Sequence, residues 1–189
     1  VEAEGADALG FILHEESQRF VEIDEVVTIV GSLKSDLDIF LVFVNKELEY
    51  VEKCLNKIPK AIPQFHGDED QNFCNKFDQD FVKAIRVNAD TNFEDMNNNF
   101  GKAKMLLLDS YEEGLYGGSG KSFDWDLIGN KLKIPFLLAG GIDTINVERA
   151  LSSVSCKGID VSSGVEHAPG IKDQAKVKDL IKKVRSFNV

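Results

Sequence analysis

One carboxylate, Asp109, stands directly after the apolar run Leu106-Leu107-Leu108 and shortly before the glycine-rich segment Tyr116-Gly117-Gly118-Ser119-Gly120-Lys121-Ser122. An apolar run ended by a carboxylate has the form of a buried strand that delivers a proton-exchanging group to its tip. Desolvation at such a tip raises a carboxyl pKa towards the range needed for acid or base work near neutral pH. The plainer role for the same residue is a helix cap or a loop carboxylate. Small residues such as Gly118 let backbone N–H groups approach an anion. The segment is not a nucleotide-binding P-loop, because G-x-x-x-x-G-K-[ST] requires a glycine where Leu115 stands. Two more apolar runs end in small residues, Leu138-Ala139-Gly140-Gly141 and Asp160-Val161-Ser162-Ser163-Gly164-Val165-Glu166. Each alone is compatible with a tight turn, but in succession they form a pattern suited to a phosphate held by backbone donors. Arg19, Asn45, His66 and Arg86 also fall at or just past apolar runs. A guanidinium at Arg19 suits a ligand carboxylate, whereas a lone histidine such as His66 serves equally well as a structural residue.

These residues need a frame that gathers them. Short apolar runs at 8–13, 39–44, 61–66, 81–87, 105–109, 136–141 and 158–163 have the length and composition of buried strands. Pro63 weakens the third, since it cannot donate to a ladder. Helical patterns alternate with them. One covers 23–32. Another follows Asn45, the expected cap, with Leu48, Val51, Leu55 and Ile58 on one face. Others cover 70–77 and 144–151, the latter capped by Asp143 or Thr144. A helix opens at 124–128, an Asn-rich stretch after 87 is helix or loop, and a closing helix at 172–187 buries Val177, Leu180, Ile181 and Val184. Residues 1–7 read as the tail of a helix stopped by Gly5.

Seven strand–helix units predict a parallel α/β sheet covered by helices. A (β/α)8 TIM barrel fits better than an open doubly wound sheet, because polar residues end several different strands rather than meeting at one switch point. The helix tail ahead of Ala8 makes these units 2 to 8. The expectation is one N-terminally incomplete barrel domain over 1–189, with two open edges that lower stability and favour association.

Composition narrows the function classes. The 22 basic and 32 acidic residues leave a net charge of −10, which disfavours nucleic acid and anionic membranes as partners. No apolar run approaches the roughly 20 residues of a membrane span. Cys54, Cys74 and Cys156 form no CxxC pair, so a disulfide scaffold or zinc site is not expected and a reducing, cytoplasmic location is, with an upstream targeting segment left open. Cys54 and Cys74 lie in helical patterns and Cys156 precedes a strand, away from the strand tips, so none is placed as nucleophile or base.

Taken together, Gly5-Ala6-Asp7-Ala8-Leu9-Gly10-Phe11, Ser17-Gln18-Arg19-Phe20, Val42-Phe43-Val44-Asn45, Gln64-Phe65-His66-Gly67, Lys83-Ala84-Ile85-Arg86-Val87, Leu107-Leu108-Asp109-Ser110, residues 116–125, the two small-residue motifs and Pro169-Gly170-Ile171-Lys172-Asp173 resemble, in collinear order, the phosphoribosylanthranilate isomerases of tryptophan biosynthesis. The resemblance implies a cofactor-free, metal-free Amadori rearrangement of a small phosphorylated substrate by a monomer or homodimer. It makes Asp109 the general acid and Arg19 the partner of the anthranilate carboxylate. His66 joins the substrate-binding residues, and Gly118, Gly140, Gly141, Ser162, Ser163 and Gly164 surround the phosphate. The family's general base is a cysteine in a Lys-Ile-Cys-Gly-like motif on the first strand. That motif does not occur in these residues, so the chain by itself is expected to be inactive. Phe20 and His14-Glu15-Glu16 also depart from the family pattern. The rival expectations are another phosphate-binding barrel, such as an indoleglycerol-phosphate synthase using Lys83 or a histidine-pathway isomerase with paired aspartates, or an inactive phosphate-binding paralogue.

Overall fold

A computed structural model describes residues 1–110 and 123–187. Its centre is a parallel seven-stranded sheet: β1 (Ala8–Ile12), β2 (Asp38–Phe43), β3 (Ile62–Phe65), β4 (Val82–Val87), β5 (Met105–Ser110), β6 (Phe136–Leu138) and β7 (Gly158–Ile159), hydrogen-bonded in that order. All seven strands coincide with the apolar runs in the sequence. Pro63 is accommodated because the β3–β4 ladder begins only at Gln64, paired with Val82.

Side chains alternate across the sheet. Phe40, Ile62, Val82, Ala84, Leu107 and Ala139, with Ala8, Met105 and Leu137 against them, form one apolar cluster drawn from β1, β2, β3, β4, β5 and β6, with Ala139 just past the end of β6. Residues from so many successive strands meet on one face only because the sheet curls around them. The opposite face packs against the helical layer: α1 (Ile23–Ser32), α2 (Leu48–Lys57), α3 (Gln71–Cys74), α4 (Phe93–Asn99), α5 (Val147–Ser153) and α6 (Gln174–Arg185). In α1, Asp24 and Glu25 occupy the first turn, where the helix dipole favours them, and Ile23 and Val26 are buried. In α2 the buried face is Val51, Cys54 and Leu55. Phe65 is the centre of an aromatic group on this side, with ring centroids of Phe43, Phe73, Phe77 and Phe81 between 5.5 and 6.2 Å away.

The ends of the chain meet. A single 3-10 turn, Glu2–Glu4, replaces the expected helix tail and closes on Gly5, whose φ is 87°. Arg185 at the end of α6 donates to the Gly5 carbonyl at 3.1 Å and to Asp7 at 2.6 Å, and Gln174 donates to Glu4 at 2.7 Å. The helix that follows β7 therefore packs beside the turn that precedes β1.

Several boundaries differ from expectation. Asn45 is not a helix cap. The helix starts at Leu48, and Asn45 has a positive φ of 49°. Its side chain instead spans to the next unit, accepting from the Asp68 N–H at 2.7 Å and donating to the Asp68 carboxylate at 3.2 Å. Asp143 does turn the chain, accepting from the N–H groups of Ile145 and Asn146, but α5 begins only at Val147. Between β5 and β6 the described residues hold a single 3-10 turn, Trp125–Leu127. An antiparallel hairpin, β8 (Glu166–Ala168) with β9 (Ile171–Lys172), precedes α6 and shortens it to Gln174–Arg185, capped by Asp173. Short pairing strands of two or three residues have no periodicity to read.

Lys83 points to the helical side of β4. Its ammonium lies 3.0 Å from Glu69, and both side chains are at most 5% exposed. It also donates to the carbonyls of Gly67 at 2.7 Å and Phe65 at 3.3 Å. This is a structural ion pair, so the expected catalytic lysine of an indoleglycerol-phosphate synthase is not here. Replacing one partner of such a pair strands a buried charge. Lys83→Met should cost about 3–5 kcal/mol in urea denaturation, and the double variant Lys83→Met/Glu69→Leu should recover most of it.

Candidate active site

The strand tips on the Asp109 side open into a cavity of about 590 Å³ whose lining includes Arg19, Gln64, His66, Asp109, Gly140, Gly141, Asp160, Ser162, Ser163 and Lys172. Residues 105, 107 and 109 share the inward face of β5, which is why the apolar run delivers Asp109 to the cavity while Leu106 and Leu108 face the helices. Asp109 is 6% exposed. Its Oδ1 accepts from the Ser110 N–H at 2.8 Å. Burial pushes the carboxyl up to about 6; the Ser110 bond opposes this, the Asp160 carboxylate adds to it and Arg86 opposes it.

Gly140 explains how the next strand comes so close. Its φ is 79°, and a Cβ there would lie 2.4 Å from the Ser110 nitrogen and 2.8 Å from Asp109 Oδ1. Only glycine allows both the conformation and the approach. Gly141 follows with φ 63°. Gly164 joins this loop to the one after β7, since a Cβ would meet the Ile142 carbonyl oxygen at 2.0 Å. Gly140-Gly141 and Ser162-Ser163-Gly164 are therefore adjacent, as two loops sharing an anion would need to be. Gly118 and the rest of residues 111–122 lie outside the described residues.

His66 directly follows β3 at the same mouth. Its Nε2 is 2.8 Å from the Gln64 amide nitrogen, so Nε2 accepts and the proton resides on Nδ1. Burial, with Lys83 nearby, lowers its pKa to about 3. The ring is a neutral group at working pH and not a proton donor by charge.

Arg19 arrives from the loop after β1. It is not alone at the rim: its Nε and Nη2 form a fork on Glu166, at 2.9 Å to Oε1 and 2.6 Å to Oε2. Lys172 reaches the same carboxylate at 3.1 Å and the Ser162 carbonyl at 2.9 Å. Burial alone would raise Glu166, but the two cations hold it below the usual carboxylate range. Arg86 pairs with Asp68 at 2.9 Å. Cys54 and Cys74 are buried in α2 and α3, Cys156 precedes β7, and none of them lines the cavity. Among the described residues no three His, Cys, Asp or Glu side chains gather as a metal ion would require.

Four groups at the site, Gln64, Asp160, Glu166 and Lys172, were not singled out from the sequence. Gln64 and Asp160 line the cavity, and burial raises the Asp160 carboxyl against the pull of Lys172 and Gln64. Glu166 was visible only as the end of a motif. The inward parity of 64, 66 and of 158, 160 was the available signal.

A carboxyl raised in the folded state binds its proton more tightly there than in the unfolded chain. The stability it confers is present below pH 3.8 and is lost as pH rises through about 6. Asp109→Asn should therefore gain stability over the parent between about pH 4 and pH 7, by on the order of 2–3 kcal/mol. Urea denaturation of both proteins across that window measures it.

Comparison with known proteins identifies the family. The family model for N-(5'phosphoribosyl)anthranilate (PRA) isomerase matches residues 1–183. N-(5'-phosphoribosyl)anthranilate isomerases of Neisseria gonorrhoeae and Nitrosomonas europaea are 38% and 39% identical over 177 and 182 residues, covering 94% and 96% of this chain and 85% and 86% of theirs. Phosphoribosyl anthranilate isomerase from Thermotoga maritima superposes with a TM-score of 0.86 at 32% identity, covering 98% of this chain and 91% of that one. Another solved isomerase holds reduced 1-(o-carboxyphenylamino)-1-deoxyribulose 5-phosphate; it has a TM-score of 0.82 at 30% identity and covers 98% of this chain and 90% of its own. The chain belongs to the phosphoribosylanthranilate isomerase family.

Proposed function

We propose that this chain carries the site for the Amadori rearrangement of N-(5-phosphoribosyl)anthranilate to 1-(2-carboxyphenylamino)-1-deoxyribulose 5-phosphate in tryptophan biosynthesis. The observation that carries the reading is Asp109, a desolvated carboxyl with a pKa of about 6 at the strand tips. It passes its proton to the furanose ring oxygen as the C1–O bond breaks and the anilino nitrogen lone pair forms a C1=N iminium. A base then removes the C2 proton, and the resulting enolamine tautomerises to the ketose. A carboxyl near 6 is protonated often enough at neutral pH to donate, and acidic enough to donate readily.

Arg19 takes the anthranilate carboxylate, and His66 presents a neutral ring to the bound sugar or its anilino group. Gly140, Gly141, Ser162, Ser163 and Gly164 receive the phosphate through backbone donors, with Gly118 from the glycine-rich segment as a further contact. The seven strand–helix units correspond to units 2 to 8 of a (β/α)8 barrel, one domain over 1–189. Every residue assigned to the site comes from one chain, so the reading serves a monomer or a homodimer equally.

The polypeptide of these 189 residues should turn over substrate slowly or not at all, since among the described residues no cysteine lines the cavity that holds Asp109. Appending the Lys-Ile-Cys-Gly-bearing strand of a relative to Val1 should raise steady-state turnover by orders of magnitude. In that extended chain Asp109→Asn should remove at least 99% of kcat. Near-normal turnover in the variant contradicts the role of Asp109. Full activity of the 189 residues alone contradicts the need for the thiol and directs attention to Asp160 as the base.

A further inference from the structure

The ion cluster at Glu166 has more positive charge than its one carboxylate balances. Arg19 and Lys172 both bond the Glu166 side chain, and Lys176 donates to the Glu166 carbonyl at 2.9 Å. Glu166 itself is buried, with a side chain 4% exposed, so it has no access to other counter-ions. Of the three cations, Arg19 and Lys172 line the cavity. The Glu166 fork occupies Nε and Nη2 of Arg19, and Nη1 completes the planar guanidinium. Lys172 uses two of its three donors on Glu166 and Ser162. Each cation thus keeps hydrogen-bonding capacity for a ligand while its position is set by the same carboxylate.

The two cations meet on one carboxylate but are anchored in different loops. Arg19 belongs to the loop after β1, whereas Lys172 is tied to the Ser162 carbonyl and so to the Ser162-Ser163-Gly164 loop. Taking the proposed substrate, which has a carboxylate at one end and a phosphate at the other, we propose that Lys172 is a phosphate-binding residue. We propose further that Glu166 is a positioning residue for both anion sites, holding Arg19 for the carboxylate and Lys172 for the phosphate. An ammonium beside a set of backbone N–H donors supplies the charge that neutral donors lack. Anchoring both cations to one buried carboxylate removes the rotamer freedom that long basic side chains otherwise lose on binding.

The inference rests on the substrate reading above, and half-substrate probes separate the two. Anthranilate and ribose 5-phosphate are titrated singly into the chain, with affinities read from amide chemical shifts. Lys172→Met should weaken ribose 5-phosphate about tenfold and leave anthranilate unchanged, and Arg19→Met should do the reverse. Glu166→Gln should weaken both, and Lys172→Arg should restore most of the ribose 5-phosphate affinity. A purely structural residue would not divide its effect by probe in this way. If Glu166→Gln does not fold, Glu166→Asp, with its shorter reach, should also weaken both probes. Unchanged ribose 5-phosphate binding in Lys172→Met overturns the phosphate role. An effect of Glu166 substitution on one probe alone overturns the shared anchor. Failure of the unsubstituted chain to bind either probe overturns the substrate reading and this inference with it.

Discussion

The site depends on keeping one carboxyl out of water. Asp109 sits at the tip of β5 under the backbone of Gly140, and nothing larger than glycine fits between them. That approach has two consequences. It excludes solvent from the carboxyl, which lifts its pKa, and it brings the loop after β6 level with the loop after β7. The same close packing that keeps Asp109 protonated to higher pH therefore also assembles the small-residue loops. A neighbouring carboxylate, Asp160, raises it further, while Ser110 and Arg86 limit the rise. The balance leaves a group that is poised rather than simply neutral. Its ionisation at neutral pH costs folding stability, the relation expected between the proposed acid and the scaffold around it.

Around that acid the charges are sorted by depth and side of the sheet. Lys83 and Glu69 neutralise each other between sheet and helices, where no ligand reaches them. On the inner side, Arg19 and Lys172 share the Glu166 carboxylate, with the Asp160 carboxyl also near Lys172. The chain is acidic as a whole, with a net charge of −10, so attraction for the proposed substrate, which is anionic at both ends, has to be local. Under the proposed function the Glu166 cluster supplies it. It also ties the loop after β1 to the hairpin after β7, a connection complemented lower down by the Arg185–Asp7 pair.

Much of this was legible in the sequence because it is written locally. The apolar runs marked all seven strands, and a carboxylate at the end of one of them marked Asp109. Paired small residues after two successive strands marked the loops that glycine brings together. What was not legible is written at long range. Arg19 and Glu166 are 147 residues apart, and no spacing rule announces their fork. Asp160 and Gln64 belong to the site only through the inward parity of β7 and β3. Asn45 had the composition of a cap, yet its partner is Asp68 in the next unit, because a left-handed residue at the strand exit turns its side chain sideways instead of onto the helix. The helix after β5 is a single turn in the described residues because Asp124 caps it and Gly129, with φ 48°, follows almost at once.

The most direct test is the titration of Asp109 itself. Carboxyl carbon shifts of the aspartates, followed by NMR across pH 3 to 8 and assigned by comparison with Asp109→Asn, give its pKa in the folded chain. A midpoint near 6 is expected. A midpoint near 4, that of a solvated aspartate, would contradict it and remove the physical basis for Asp109 as the acid.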